Sequence, residues 1–196
     1  MAIKSDREYR MVSVEFRAKE EEEQKHIVEG YATTFNDPYV LYTYDGVDYK
    51  EEVDRNALDG ADMEDVIFLY NHEGMVFARQ SNGSLKLEMD EKGLRVWADL
   101  SLTEDSRRLY EAIKTGLVTQ MSWAFTVEED SYNEKEHLRK LLKIRKVYDV
   151  SAVSIPANPA TDISARAYFD GVIEEQRRRD LEREKQKQRI RIKSMR

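Results

Sequence analysis

Residues 120–127 read QMSWAFTV, and this stretch decides the fold class because apolar side chains occur at every second position. In an extended strand alternate residues point to the same side, so these side chains would share one buried face. The residues of that face are Met121, Trp123, Phe125 and Val127. Ser122 would lie on the opposite face beside the small residue Ala124, which would leave room there for a substrate chain. The stretch predicts a strand with a serine on its second face.

Several other segments have the length and alternation of strands. These segments are residues 11–16, 26–35, 66–70, 85–89, 94–100 and 143–155. The segments 85–89 and 94–100 are joined by Asp90-Glu91-Lys92-Gly93, which predicts a hairpin with glycine in its tight turn. Residues 103–115 predict a helix, which Thr103 would cap and Gly116 would end. Together these patterns predict a mainly β fold with a few helices.

The C-terminal segment differs sharply in composition from the rest of the chain. Residues 170–196 contain ten Lys or Arg and six Asp or Glu, a net charge of +4, so the total of −7 leaves −11 on residues 1–169. Glu174 and Arg178, like Glu175 and Arg179, have the i,i+4 spacing of an exposed helix. We therefore expect one domain over residues 1–169 and a charged, helical or partly disordered tail over residues 170–196.

Composition also narrows the classes of function. The chain has no cysteine, which excludes thiol catalysis and disulfides. The acidic body argues against nucleic acid as a partner, because phosphate binding needs clustered positive charge. The polar start MAIKSDREYR is unlike a signal peptide, and no apolar run is long enough for a membrane span. These features predict a soluble cytoplasmic protein.

The chain contains only three histidines, so the candidates for a catalytic base are few. His26 and His137 lie in strongly polar surroundings, which favours solvated surface positions. His72 follows the apolar run 66–70 directly, so its ring is expected at the rim of the core. A histidine that merely ends a strand has the same pattern, and a serine in an alternating strand is most often an ordinary solvent-facing residue.

A serine needs a base to accept its proton during attack, and that base needs a group to orient it. Asp149 and Ser151 lie two residues apart on the last predicted strand, so both would point to one side. Asp149 could therefore orient a histidine, although an edge charge or a salt bridge fits the same position. From the residues alone, a Ser122, His72 and Asp149 triad is permitted but not required.

Metal chemistry finds little support in the sequence. HExxH motifs, paired histidines and cysteine ligands are all absent, and the carboxylates between Glu51 and Asp65 lack the spacing of a calcium loop. We expect no cofactor and no metal. A metal-dependent hydrolase that uses the acidic residues near Glu51 is a rival interpretation.

Four segments in this order resemble a known family. They are FLYNHEG (68–74), DEKGLRVWADL (90–100), KTGLVTQMSWAF (114–125) and YDVSAVSIPANPAT (148–161). Together they are similar to the prohead proteases of HK97-like tailed bacteriophages, which are related to the herpesvirus capsid maturation proteases. The resemblance extends from about Phe16 to Ala167, and it depends on the combination of segments. Ala124 departs from the glycine that many members have at this position.

The resemblance implies specific roles for three residues. His72 corresponds to the family's catalytic base, Ser122 to its nucleophile, and Asp149 to the acidic residue before the V-S pair of the final strand. It does not identify the oxyanion donors, for which backbone N–H groups near the end of the final strand, or Arg166, are candidates. It also implies an antiparallel β-barrel with surrounding helices.

The implied function is that of a serine endopeptidase of capsid maturation. Such an enzyme would cleave the scaffolding segment from the major capsid protein, and itself, inside the assembling prohead in the bacterial cytoplasm. The portal protein and a second copy of the chain are further candidate partners. The alternative is a non-catalytic capsid assembly or scaffold-binding protein that keeps the protease fold.

Overall fold

The computed structural model describes residues 7–12, 17–20, 25–154 and 163–194. These residues form eleven strands and two helices, so the prediction of a mainly β fold is confirmed. The strands are β1 (Glu8–Val12), β2 (Arg17–Glu20), β3 (His26–Thr34), β4 (Tyr39–Tyr44), β5 (Val47–Val53), β6 (Ile67–Tyr70), β7 (Glu73–Arg79), β8 (Leu85–Met89), β9 (Gly93–Asp99), β10 (Gln120–Asn133) and β11 (Leu138–Val153). The helices are α1 (Glu104–Lys114) and α2 (Ile163–Ser194). Within the described ranges, neither helix is long and apolar enough to cross a membrane.

The strands form two sheets. The larger has seven strands in the order β1-β10-β11-β5-β4, and β6 pairs with another part of β11 and also with β7. The smaller has four strands in the order β2-β3-β9-β8. The pairings of β11 with β5 and with β6 are parallel, so the larger sheet is mixed rather than antiparallel throughout. The closed barrel that the resemblance implied is not confirmed by the strands in the described part of the chain.

One apolar core joins the two sheets and α1. Trp123 and Phe125 of β10 are fully buried in it, together with Val96 of β9. Leu109 and Ile113 of α1 pack against the same core, as their helical spacing predicts. Burial of the apolar face of β10 therefore leaves the alternate residues, beginning with Ser122, on the face that builds the candidate site.

Most predicted elements are confirmed, with shifted ends. Helix α1 is capped by the Thr103 side chain, which accepts a hydrogen bond from the Ser106 N–H, and Gly116 follows it at φ 76°. Strand β11 begins at Leu138, earlier than predicted, because its first residues pair with the end of β10, where Arg139 donates to Asp130 at 2.5 Å. The predicted ends of two strands, at residues 13–16 and at Ile155, lie outside the described residues.

A hairpin that the sequence did not predict lies between residues 39 and 53. Strands β4 and β5 pair antiparallel around Asp45 and Gly46, whose φ angles of 51° and 76° suit a tight hairpin turn. Helix α2 packs on this hairpin through Phe169 and Ile173, which are buried in a second apolar cluster. The start of the charged C-terminal segment is thus anchored to the sheet.

Buried charges connect the N-terminal strand to the rest of the larger sheet. The Arg10 guanidinium is 1% exposed and donates to both oxygens of Glu51, which is fully buried, at 2.6 and 3.0 Å. Arg139 donates to Glu51 at 3.1 Å and to Glu8 at 2.8 Å, and Arg10 also donates to Glu8. Buried charges are stable only when they are paired in this way. The cluster therefore fixes β1 against β5 and β11.

Glycine is required at position 93 by close packing. A methyl group at this position would lie 2.0 Å from the carbonyl oxygen of Thr33 in the adjacent strand β3. The sequence predicted this glycine from turn geometry, whereas the structure shows that the approach of β3 is the stronger constraint.

We therefore expect Gly93→Ala to lower the free energy of unfolding by about 1–3 kcal/mol, the usual cost of forcing extra atoms into a packed site. Urea unfolding followed by circular dichroism measures this change. Gly171→Ala is the matched control, because nothing lies within 4 Å of the added methyl and alanine favours a helix. Equal stability of the two variants would contradict the packing argument.

Acid should weaken the buried charge cluster. Burial opposes ionisation of Glu8, but its hydrogen bond with Arg139 and the charges of Arg10 and Arg139 outweigh this effect, so the pKa of Glu8 is below its ordinary value of 4.5. The stabilisation from Glu8 is therefore present above pH 4.5 and is lost as the pH falls through the lower folded pKa.

Glu8→Gln should be less stable than the wild type near neutral pH, and the difference should shrink on acidification. Urea unfolding at about pH 7 and about pH 3.5 tests this expectation. A difference between the two proteins that stays constant with pH would show that Glu8 does not contribute through its charge.

Candidate active site

Three strands that are distant in sequence meet at the candidate site. Ser122 of β10 lies opposite Ser151 of β11, and Ala124 lies opposite Asp149, in the antiparallel register of these strands. On its other side β11 pairs in parallel with β6, which ends at Tyr70, two residues before His72. The structure therefore brings together all three residues that the sequence singled out, Ser122, His72 and Asp149.

His72 occupies a tight turn between β6 and β7. Asn71 and His72 have φ angles of 53° and 60°, which are typical of a two-residue type I′ hairpin. Such angles are uncommon for residues other than glycine, although Asn and His adopt them more readily than most. The Asn71 N–H donates to the Ala152 carbonyl at 3.0 Å, and its side-chain oxygen accepts from the Ser154 N–H at 3.1 Å. These bonds hold the turn, and with it the His72 backbone, against the end of β11.

The imidazole of His72 contacts a hydroxyl on one side and a carboxylate on the other. Its Nε2 is 2.6 Å from the Ser122 Oγ, and its Nδ1 is 2.5 Å from the Asp149 Oδ1. An ionised carboxylate can only accept hydrogen bonds, so the proton between Asp149 and neutral His72 lies on Nδ1. Nε2 then has its lone pair directed at the Ser122 hydroxyl. This tautomer allows Nε2 to accept the hydroxyl proton.

The three side chains lie largely below the protein surface. Ser122 and Asp149 are each 2% exposed, whereas the His72 side chain is 15% exposed. The Ser122 Oγ lies 2.9 Å from the Arg10 carbonyl oxygen, so that carbonyl competes with His72 for the hydroxyl proton. Exclusion of water strengthens the electrostatic contacts among these groups.

Two side chains near the N-terminus, Arg7 and Tyr9, contact residues at the site. The Tyr9 ring meets the His72 ring edge to face, with centroids 4.7 Å apart. The Arg7 guanidinium stacks 3.7 Å above the Tyr148 ring and lies 4.0 Å from the Asp149 Oδ2.

His26 and His137 lie elsewhere in the structure. Both were predicted to be solvated surface residues, and both are partly buried instead. His26 is partly buried, and its ring packs edge to face on Tyr110 of α1 with centroids 4.7 Å apart. His137 is also partly buried, packs against Tyr49 at 5.0 Å and lies 3.2 Å from the Tyr132 hydroxyl. Polar neighbours in sequence concealed these aromatic contacts, because the contacts come from distant segments.

The acidic residues near Glu51 have the wrong environment for a metal site. Glu51 accepts from Arg10, Arg139 and the Tyr39 hydroxyl, so its oxygens already have cationic and hydroxyl partners. Among the residues whose side chains the structure describes, no group of three metal-ligating carboxylates or histidines is close enough to hold an ion. The interpretation as a metal-dependent hydrolase therefore has no site there.

Ser151 also contacts the site, and the sequence analysis assigned it no role. The Ser151 Oγ lies 3.1 Å from the His72 Nδ1 and 3.0 Å from the Asp149 Oδ1. The spacing in the sequence could have indicated this contact, since Ser151 lies two residues after Asp149 and residues two apart on a strand point to the same side. The candidate oxyanion donors after the final strand, at residues 155–162, lie outside the described residues, as does the Arg166 side chain.

Comparison with known proteins identifies one family. The family model described as caudovirus prohead serine protease matches residues 12–172 of the chain. This range contains the three strands of the site and the start of α2. No curated protein and no solved structure gives a significant match.

The geometry predicts that Ser122 reacts selectively with a fluorophosphonate, a reagent that forms an ester with base-activated serines. We expect His72→Ala to slow the labelling on the order of a thousandfold, because in the described part of the chain His72 is the one titratable side chain bonded to the hydroxyl. Intact-mass spectrometry over time measures the rate, and peptide mapping locates the label.

Ser84→Ala is the control, because Ser84 is also buried but its hydroxyl bonds Arg79 and Asn82 instead of a histidine. It should label at the wild-type rate. Labelling of His72→Ala at the same rate as this control would refute activation of Ser122 by His72.

Proposed function

Because the chain belongs to the caudovirus prohead serine protease family, we propose that Ser122, His72 and Asp149 form the catalytic triad of a capsid maturation endopeptidase. The observation that carries the proposal is the pair of contacts of one imidazole, 2.6 Å to the Ser122 hydroxyl and 2.5 Å to the Asp149 carboxylate. A hydroxyl, an imidazole and a carboxylate in this order are the parts that acyl transfer requires.

The proposed reaction begins with attack of the Ser122 Oγ on the carbonyl carbon of the scissile peptide bond. His72 Nε2 takes the hydroxyl proton as the Oγ–C bond forms, and Asp149 stabilises the resulting imidazolium. The tetrahedral intermediate breaks its C–N bond while His72 returns the proton to the leaving amine. A water molecule, deprotonated by His72, then hydrolyses the acyl-enzyme and restores the Ser122 hydroxyl.

We propose that the substrate is the scaffolding segment of the major capsid protein, and that the chain also cleaves itself. The portal protein is a further candidate partner within the assembling prohead. Family membership supports action on capsid components in general, and the choice of these particular substrates is our hypothesis.

The division into a protease domain (1–169) and a charged tail (170–196) stays a prediction. In support, residues 177–190 of α2 are all exposed, and most of them are polar or charged. Phe169 and Ile173 of the same helix are buried, so the helix crosses the predicted boundary. We propose that the exposed part of α2 is a docking arm or a site of self-cleavage.

A second candidate function is a non-catalytic capsid assembly or scaffold-binding protein with the protease fold. The observation that favours it is the 2% exposure of Ser122, which leaves its hydroxyl little access to a substrate in this conformation. The contacts of His72 with Ser122 and with Asp149 favour the enzyme, since a binding protein has no chemical need for these three groups.

Co-expression with the major capsid protein of the same phage distinguishes the two functions. We expect a shortened capsid protein on a denaturing gel with the wild-type chain and full-length capsid protein with Ser122→Ala, because the acyl-enzyme can no longer form. Intact-mass measurement of the purified chains shows whether self-cleavage follows the same pattern.

Ser84→Ala again serves as the control for loss of a buried hydroxyl and should cleave normally. Shortened capsid protein in the presence of Ser122→Ala would overturn the assignment of the nucleophile. Full-length capsid protein with the wild type as well, in cells where proheads form, would favour the assembly protein.

A further inference from the structure

Ser151 is a buried hydroxyl that contacts two members of the proposed triad. It is 0% exposed, and its Oγ lies 3.1 Å from the His72 Nδ1 and 3.0 Å from the Asp149 Oδ1. With the 2.5 Å contact between Nδ1 and Oδ1, these distances close a triangle of three polar atoms. None of the three atoms belongs to the nucleophile, so Ser151 acts on the side of the imidazole away from Ser122.

The position of Ser151 follows from strand pairing. Ser151 lies opposite Ser122 in the β10–β11 register and opposite Leu69 in the β11–β6 register, so strands flank it on both sides. A buried hydroxyl in such a place is costly unless its hydrogen bonds are satisfied. Here the partners of the Ser151 hydroxyl are the Asp149 carboxylate and the Nδ1 atom of His72, the proposed base.

The protons can be assigned from donor and acceptor capacity. The Asp149 carboxylate accepts, so the Ser151 hydroxyl donates its proton to Oδ1 and keeps a lone pair directed at the His72 Nδ1. The Nδ1–H therefore has two acceptors, Asp149 Oδ1 and Ser151 Oγ. A ring flipped about the Cβ–Cγ bond would present a C–H group to both oxygens and lose both contacts.

His72 has reason to need a second anchor. It lies in a turn at φ 60°, its side chain is 15% exposed, and Tyr9 contacts the ring only through an aromatic edge. A single acceptor on Nδ1 leaves the ring free to tilt about that bond. Two acceptors at different positions define a plane for the ring and direct Nε2 towards the Ser122 Oγ.

We propose that Ser151 is a positioning residue, which fixes the ring orientation of His72 as a second acceptor for its Nδ1–H and does not contact the substrate. The proposal rests on the triad proposed above. If Ser151 only fills the interior and satisfies its own hydroxyl, its removal will lower stability and leave the state of His72 unchanged.

The experiment compares Ser151→Ala and Ser151→Cys with the wild type and with Ser106→Ala. Cysteine keeps the volume but bonds weakly, so it guards against a folding defect in the alanine variant. Ser106 is the matched control, because it is 1% exposed and its hydroxyl bonds the Phe77 carbonyl and the Thr103 side chain in α1. Ser122→Ala completes the set.

Two readouts are measured on the full chain. The first is the second-order rate of fluorophosphonate labelling, which we expect to fall about tenfold in Ser151→Ala and less in Ser151→Cys. The second is the ¹⁵N chemical shifts of the histidine ring nitrogens, with only three histidines to assign. We expect the Nδ1 resonance of His72 to shift in both Ser151 variants, because its N–H loses one of two acceptors. Ser106→Ala should match the wild type.

The outcomes separate this proposal from the triad itself. Wild-type histidine shifts and labelling rates in both Ser151 variants, with thermal stability lowered as in Ser106→Ala, would show that Ser151 is structural only. Undiminished labelling of Ser122→Ala would instead overturn the proposed nucleophile. The histidine spectra report on Ser151 in either case, because they require no turnover.

Discussion

The register between β10 and β11 is the constraint on which the rest of the structure depends. Side chains alternate along both strands, so pairing Ser122 with Ser151 and Ala124 with Asp149 sets which residues face the site and which face the core. A slip of one residue would move Trp123 to the site face and Ser122 into the apolar core. Because Trp123 and Phe125 are fully buried, the hydrophobic core selects the register that also aligns the hydroxyl with the carboxylate.

The buried charges enforce a second constraint, which is the position of β1. Arg10 of β1 pairs with Glu51 of β5 on one side of the sheet, while the Arg10 carbonyl contacts the Ser122 Oγ and Tyr9 contacts His72 on the other. Displacing β1 completely would leave Glu51 without Arg10 in a buried position, which is unfavourable. The ion pair that anchors β1 therefore also fixes the Arg10 carbonyl beside the Ser122 hydroxyl.

Sequence reasoning found the elements with strong local signals and missed those that depend on partners. The alternation at 120–127 and the capped helix after Thr103 were predictable, because each signal lies within a few residues. The β4–β5 hairpin was missed although Asp45-Gly46 is a typical hairpin turn, since its strands are rich in tyrosine and charge rather than aliphatic residues. The charged half of β10–β11 was missed for a related reason: cross-strand pairs such as Glu128 with Lys143 stabilise it, and they are invisible in one segment.

In the candidate site, too, the residues with local signals were predictable and the contacts between distant segments were not. Scarcity of histidine directed attention to His72, and alternation placed Ser122 and Asp149 on strand faces, but no local pattern contained the distances between them. Those distances come from a parallel pairing of β6 with β11 and from positive φ angles at Asn71 and His72, two features that depend on tertiary context. Ser122, His72 and Asp149 are therefore carried by segments that only the folded sheet aligns. Ser151 lies directly opposite Ser122 and contacts the His72 ring, so it connects His72 to the same strand pairing that positions Ser122. The geometry of the proposed triad and the register of the core are thus set by a single arrangement of strands.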